Sequence, residues 1–293
     1  MRKRSKFRIA PYLLLLPWMI GISVFRIYPI ISSFINSLFN FHPVLGRLSF
    51  VGFGNYRRLF TEIPLFWQSF RATMFYVLVG TPMVLAAAFF IAFILNFKLK
   101  GVNLFRTAYY VPSILGGNVA VALVWSQLFA GNGPVNRVLS IFGFEPVAWI
   151  RTAPFASFTL VFLSAWQFGS VMLIFLAALQ NVSPSLYEAA SIDGARKWRQ
   201  LFSITLPIIT PVMLFNTINV LRRHFQEFNA PYLITQRGPN NTTYFLNVLI
   251  YEYAFRQGQF GLALALTWIL LGIIGVLTVI LFLSSKRWVH YSD

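Results

Sequence analysis

Few residues in this 293-residue chain could do chemistry, and most of them fall in two stretches. One is Asn216-Thr217-Ile218-Asn219-Val220-Leu221-Arg222-Arg223-His224-Phe225-Gln226-Glu227, in which amides, two guanidiniums, an imidazole and a carboxylate follow an apolar run. The other runs from Pro184 to Pro207 and holds Glu188 and Asp193, two of the seven acidic residues. The remaining acids, Glu62, Glu145, Glu227, Glu252 and Asp293, are scattered, and no two stand as a general acid and its base. His42, His224 and His290 lie in different segments and form no ligand pair. Cysteine is absent, which excludes disulfides, thiol catalysis and thiolate metal sites. No catalytic residue and no metal site is expected. The chain reads as a gated path whose energy arrives from elsewhere.

The elements that position these residues are membrane spans. Hydrophobic residues make up 57% of the chain and charged ones 11%, against about 25% charged in a soluble domain. Lipid-exposed backbone must satisfy its own hydrogen bonds, and the strand alternation of a membrane barrel is missing, so the spans are helical. Apolar runs predict six of them: Ile9 to Ile31, Ala72 to Phe97, Leu104 to Phe129, Ala156 to Leu179, Pro207 to Phe228 and Phe260 to Leu283. Lys98 and Lys100 close the second. Pro112 and the Gly116-Gly117 pair mark local unwinding in the third. Met1 to Arg8 is basic like a signal peptide, but no small-residue cleavage site follows, so the first span is expected to be retained. The whole of 1–293 reads as one all-α transmembrane domain, with outer connecting segments at 41–70 and 229–258. The net charge of +17 is spread between spans, with no basic domain to track a phosphate backbone, which argues against nucleic acid.

The 184–206 loop interrupts two apolar runs with a helix, a turn and a second helix. Ser183 or Ser185 is expected to cap the first helix, with Glu188 completing a capping box. Gly194 supplies the positive φ that ends it. Glu188-Ala189-Ala190, Gly194 and Leu206-Pro207 resemble the "EAA…G…LP" loop of bacterial ABC-importer permeases. The resemblance extends to Phe50-Val51-Gly52-Phe53-Gly54-Asn55-Tyr56, to Phe105-Arg106-Thr107 and Val124-Trp125, and to Gly238-Pro239, Tyr251, Ala254-Phe255 and Phe260-Gly261. Arg237 departs from it, standing where such proteins usually carry the first glycine of "GGP".

The resemblance is to carbohydrate-type permeases of the maltose- and glycerol-phosphate-importer kind, and it implies the type I importer fold. It also implies a second homologous permease chain, two ATPase subunits that bind ATP and Mg, and a periplasmic or lipid-anchored solute-binding protein. No nucleotide-binding motif lies in this chain, so it is expected to bind no cofactor itself. The coupling residues would be Tyr187, Glu188, Ala189, Ala190, Asp193 and Gly194, with Ile192 beside them, docking into an ATPase groove.

On the fifth span Asn216, Asn219, Arg223 and Gln226 recur at helical spacing and share a polar face toward the translocation path. Adjacent Arg222 points about 100° away, so the two arginines are not expected to reach one groove. A charge at mid-bilayer costs about 2.5–3.5 kcal/mol. The alternative is that both arginines snorkel outward and Glu227 pairs one of them. Trp125, Trp166 and Gln167 are candidates for holding a sugar ring. An Arg-Arg-His run within a span, together with basic outer loops, points to an acidic saccharide such as a uronate oligomer. A neutral oligosaccharide or glycerol-phosphate is the runner-up. A rival from another class, an ion-coupled secondary transporter, would show broken helices, inverted repeats and intramembrane carboxylates.

Lys and Arg are more numerous in the tail, the 98–106 and 184–206 loops and the C-terminal end than in the opposite loops, which predicts cytoplasmic termini. A cysteine introduced as Ser191→Cys should therefore resist a membrane-impermeant thiol reagent in intact cells. One introduced as Asn241→Cys should label from outside, and the reverse pattern would invert the topology.

Overall fold

The computed structural model describes residues 10–97 and 101–290. The basic tail from Met1 to Arg8, Lys98 and Lys100, and Asp293 lie outside them. The elements in chain order begin with α1 (Ala10–Ile22), a π turn (Ser23–Ile27) and α2 (Tyr28–Ser37), followed by a hairpin of β1 (Phe39–His42) and β2 (Gly46–Phe50). There follow α3 (Gly54–Thr61), α4 (Pro64–Leu95), α5 (Val102–Leu115), α6 (Val119–Leu128), α7 (Pro134–Ile141), α8 (Phe155–Trp166) and α9 (Gly169–Gln180). The chain continues as α10 (Pro184–Ile192), α11 (Lys197–Gln200), a π turn (Leu201–Thr205), α12 (Leu206–Phe225) and α13 (Asn229–Leu233). It ends with α14 (Leu246–Tyr251), a π turn (Glu252–Arg256) and α15 (Phe260–Ser285). Among the described residues, four helices are long and apolar enough to cross a membrane, and the number rises to six if each of two bent pairs is counted as one span. α5 and α6 meet at 105°, and α8 and α9 at 46°.

The third span thus breaks at Gly116-Gly117, as the glycine pair suggested, whereas Pro112 stays inside α5. The break is satisfied locally. Asn118 Oδ1 accepts from the Ala120 amide at 3.1 Å and so caps α6, while Asn229 Nδ2 donates to the Gly117 carbonyl at 2.7 Å. Inside a bilayer both groups would otherwise stand unpaired. Two π turns also have a local cause. Each ends two residues before a proline, ahead of Tyr28-Pro29 and Leu206-Pro207, and closes an i→i−5 bond from Tyr28 to Ser23 and from Leu206 to Leu201. A proline has no N–H and crowds the carbonyl four residues back, and a widened turn relieves that conflict.

The chain divides into two compact units, residues 1–62 with 250–269, and 63–249 with 270–293. In the first, Asn55 is buried and its amide donates to the carbonyls of Ser37 (2.8 Å) and Phe39 (3.0 Å), tying α3 to the start of the hairpin. Trp268 of α15 donates to Ser33 Oγ at 3.2 Å and meets the Phe34 ring edge-on.

In the second unit the core forms where α4, α9 and α12 pack. Val84, Ala88 and Ala92 recur every four residues along α4 and meet Val171, Met172, Phe175 and Leu179 of α9, with Ile209 and Val220 of α12. Small side chains let helices approach closely where lipid supplies no hydrophobic drive. One turn before Val84 the residue is Gly80, where a Cβ would come within 3.2 Å of His224 Cε1. A β-branched side chain there has no room, so Gly80→Val should cost about 1–3 kcal/mol by overpacking. Thermal unfolding of the solubilised protein should show a lower Tm for Gly80→Val than for Gly80→Ala, and equal Tm values would sink this account.

Candidate functional site

The C-terminal half of α12 carries the polar face. Asn216 and His224 are buried, and Arg223 is half-buried. His224 is fixed from α4: Thr81 Oγ1 lies 2.9 Å from its Nδ1, and the Tyr76 ring packs beside it with centroids 4.8 Å apart. A cavity of about 540 Å³ opens alongside, lined by Ser170, Val171 and Ile174 of α9, by Phe215, Asn216, Asn219, Val220, Arg222 and Arg223 of α12, and by Gln226 and Glu227 just past its end. The shared polar face expected from helical spacing is therefore present.

Two expectations about the arginines change. Both line the same cavity, because the Arg222 side chain runs along the helix and its Nη1 donates to Gln226 Oε1 at 3.2 Å. A long side chain overrides the angle between Cα positions. Glu227 forms no ion pair with either arginine among the described residues; its Oε1 accepts from the Ala230 amide at 3.0 Å and caps α13. Buried Asn216 Nδ2, Arg223 Nη2 and His224 Nε2 have no hydrogen-bond partner among the described residues. An unsatisfied buried polar group costs about 1–3 kcal/mol. Three within little more than two helical turns make this the most polar unsettled place in the described structure.

The expected sugar-stacking residues are not part of it. Trp125 and Trp166 face each other with centroids 5.6 Å apart, and Trp125 Nε1 donates to the Thr159 carbonyl at 3.3 Å, so the pair is used in packing α6 against α8. Gln167 sits at the α8–α9 bend, its Oε1 2.8 Å from where a Gly116 Cβ would stand. It lines a gap of only about 20 Å³, too small for a sugar. Sequence reasoning missed Thr81, Tyr76 and Ser170. They come from other spans, and only the packing brings them to α12.

The 184–206 loop is the second site. α10 ends in a Schellman arrangement: Gly194 takes φ +74°, its amide donates to the Ser191 carbonyl at 3.1 Å, and the Ala195 amide donates to the Ala190 carbonyl at 2.8 Å. The capping box does not form. Pro184 occupies the first turn, and the hydroxyls of Ser183 and Ser185 pair with each other at 2.8 Å. Glu188 is exposed and has no ion-pair partner among the described residues, while Ala189, Ile192 and Asp193 are exposed beside it. Ala190 is half-buried. Tyr187 turns inward instead, its hydroxyl 2.8 Å from Thr205 Oγ1. Buried Gln200 donates to Ser191 Oγ (3.0 Å) and to the Ala195 carbonyl (3.1 Å). These bonds clamp α10 to α11 and to the π turn that lead into α12. α12 is 20 residues long, which puts the Arg223 end about 30 Å away.

Arg237 takes φ +85°, a conformation that favours glycine, and its guanidinium stands 5.1 Å over the Tyr244 ring. Its departure from the resembling pattern thus occupies a backbone that a side chain strains by about 1–2 kcal/mol.

Residues 11–290 match the family described as binding-protein-dependent transport system inner membrane component. A probable ABC transporter permease protein of Bacillus subtilis, YesP, is 40% identical over 100% of this chain and 95% of its own length. The lactose transport system permease protein LacF of Rhizobium radiobacter is 33% identical and is matched over 94% of both chains. In the solved structure of a bacterial ABC transporter involved in the import of the acidic polysaccharide alginate, one chain superposes with a TM-score of 0.81, covering 95% of each chain at 21% identity. That last likeness is one of fold.

Proposed function

The chain belongs to the family of binding-protein-dependent transport system inner membrane components, and from that premise we propose how it works and what it carries. It is a multi-pass inner-membrane permease of the ABC-importer class, and its substrate is a sugar or oligosaccharide. The broken spans that an ion-coupled carrier would show are present here too, so they do not separate the two classes; family membership does. The termini and the 184–206 loop face the cytoplasm. Two separate ATPase chains bind ATP and Mg, a second permease chain completes the path, and a solute-binding protein delivers substrate from outside. This chain binds no cofactor.

Motion enters at α10. Exposed Glu188 and Asp193 offer carboxylates to basic groups of an ATPase groove, and Ala189 with Ile192 presents a small apolar face to it. The clamps at Tyr187 and Gln200 then move the foot of α12, and its far end carries the arginine-lined cavity. Glu188→Lys should leave the chain folded in the membrane while abolishing ATP-driven uptake, because a cation replaces the docking carboxylate. Gly194→Val should do the same by forbidding the φ of +74°. Normal uptake and normal ATPase stimulation in both variants would sink the docking role.

An acidic saccharide is the reading that the cavity favours. The observation that carries it is the pair of arginines on one cavity, with Arg223 Nη2 unpartnered among the described residues. Guanidinium pairs with carboxylate through two parallel hydrogen bonds, and a poorly hydrated site strengthens them. The relative named for lactose favours a neutral oligosaccharide as the second reading. Arg223→Gln should cut uptake of a uronate oligomer at least about tenfold, the loss of one charge-assisted hydrogen bond of about 1.5–3 kcal/mol. Basal ATPase activity of the assembled complex should persist. Unchanged uptake, or a solute-binding protein that prefers an uncharged sugar, would overturn the acidic reading in favour of the neutral one.

A further inference from the structure

A second cavity, of about 510 Å³, lies in the same unit at the other end of α12, under the 184–206 loop. Its walls are mainly apolar: Phe93 from the end of α4, Phe97 just beyond it, Leu179 from the end of α9, and Leu201 from the π turn. The polar residues in the lining are mostly engaged. Tyr187 and Thr205 bond to each other, and Gln200 holds Ser191 and the Ala195 carbonyl. Asn96 and Lys197 remain, both without a side-chain partner among the described residues. Arg196 and Arg199 are exposed on either side of Lys197. Trp198 also lines the cavity, is 73% exposed, and stacks on Phe202, itself 61% exposed, with ring centroids 6.4 Å apart.

Each feature fits one kind of occupant. Exposed stacked aromatics beside basic residues at a span end are the signature of the headgroup level of a bilayer. An apolar hollow between span ends under a cluster of Lys and Arg is how membrane proteins hold anionic lipid headgroups, at about 1 kcal/mol per basic residue. Tyr187, Thr205 and Gln200 are occupied in holding the loop, so what the lining leaves for a ligand is an apolar hollow with one amide, Asn96, and one ammonium, Lys197. We propose that this cavity binds the acyl chain of an anionic phospholipid, with its phosphate on Lys197 and the flanking arginines. The lipid then backs the Tyr187–Thr205 and Gln200–Ser191 bonds that fix α10 to α12. Energy coupling through α10 is therefore strongest in membranes containing anionic lipid. The placement in the inner leaflet rests on the orientation proposed above; the lipid site itself does not.

The test uses the whole importer complex, purified and returned to vesicles of phosphatidylcholine alone or with phosphatidylglycerol. Native mass spectrometry of the complex should show phosphatidylglycerol retained in preference to phosphatidylcholine. Lys197→Gln should weaken that retention about fivefold, the equivalent of about 1 kcal/mol. Lys286→Gln, exposed but outside the cavity lining, should leave it unchanged. Substrate-stimulated ATPase activity should rise with phosphatidylglycerol in the wild type and less so in Lys197→Gln. Equal retention of the two lipids, or equal retention by wild type and Lys197→Gln, would overturn the site. If lipid is retained selectively but stimulated ATPase activity ignores vesicle composition, the link to coupling is wrong. A complex that retains the lipid yet shows no stimulated ATPase activity in any vesicle points instead to failure of the coupling role of α10.

Discussion

The close approach of α4 and α12 is the constraint on which the second unit depends. Gly80 lets His224 lie against α4, and Thr81 holds the imidazole there at 2.9 Å. That contact fixes the rotation of α12. With the rotation fixed, Asn216, Asn219, Arg223 and Gln226 are committed to one side, facing Ser170 and Ile174 of α9. In lipid there is no water to take up a misdirected guanidinium, so a helix carrying two arginines must be held in register by something stronger than apolar contact. A small-residue stripe on α4 brings the backbones near, and a polar bond across the interface selects the angle.

The seating of α10 depends on a different local device. Pro207 cannot donate a helical hydrogen bond and crowds the preceding turn, so the chain widens into the π turn Leu201–Thr205. The widened turn places Thr205 opposite Tyr187. The "LP" of the loop motif therefore has a structural part: it makes the seat against which α10 is held. Tyr187 looks like a surface aromatic in the sequence, yet it serves as the bolt, and Glu188 and Ile192 are left to face outward.

Much of this was legible in the chain. Six apolar runs of sufficient length, the break at Gly116-Gly117, the helix end at Gly194 and the polar face of the fifth span all follow from local rules: hydrocarbon thickness, left-handed φ, and the 3.6-residue period. They need no knowledge of neighbours. The family resemblance was legible for the same reason, since it rests on contiguous motifs.

What local rules could not decide is what each long side chain does. Arg222 and Arg223 are about 100° apart by period, yet both line one cavity because Arg222 bends along the helix to Gln226. Trp125 and Trp166 are 41 residues apart and pair with each other. Ser183 and Ser185 satisfy one another, so the expected capping box is lost. In each case the outcome is a choice among several partners within reach. The sequence by itself determined the elements, because backbone hydrogen bonding and hydrophobic length are properties of a segment. Only the tertiary structure decided the partners, because a side chain's hydrogen bond goes to whichever group the packing brings within about 3 Å.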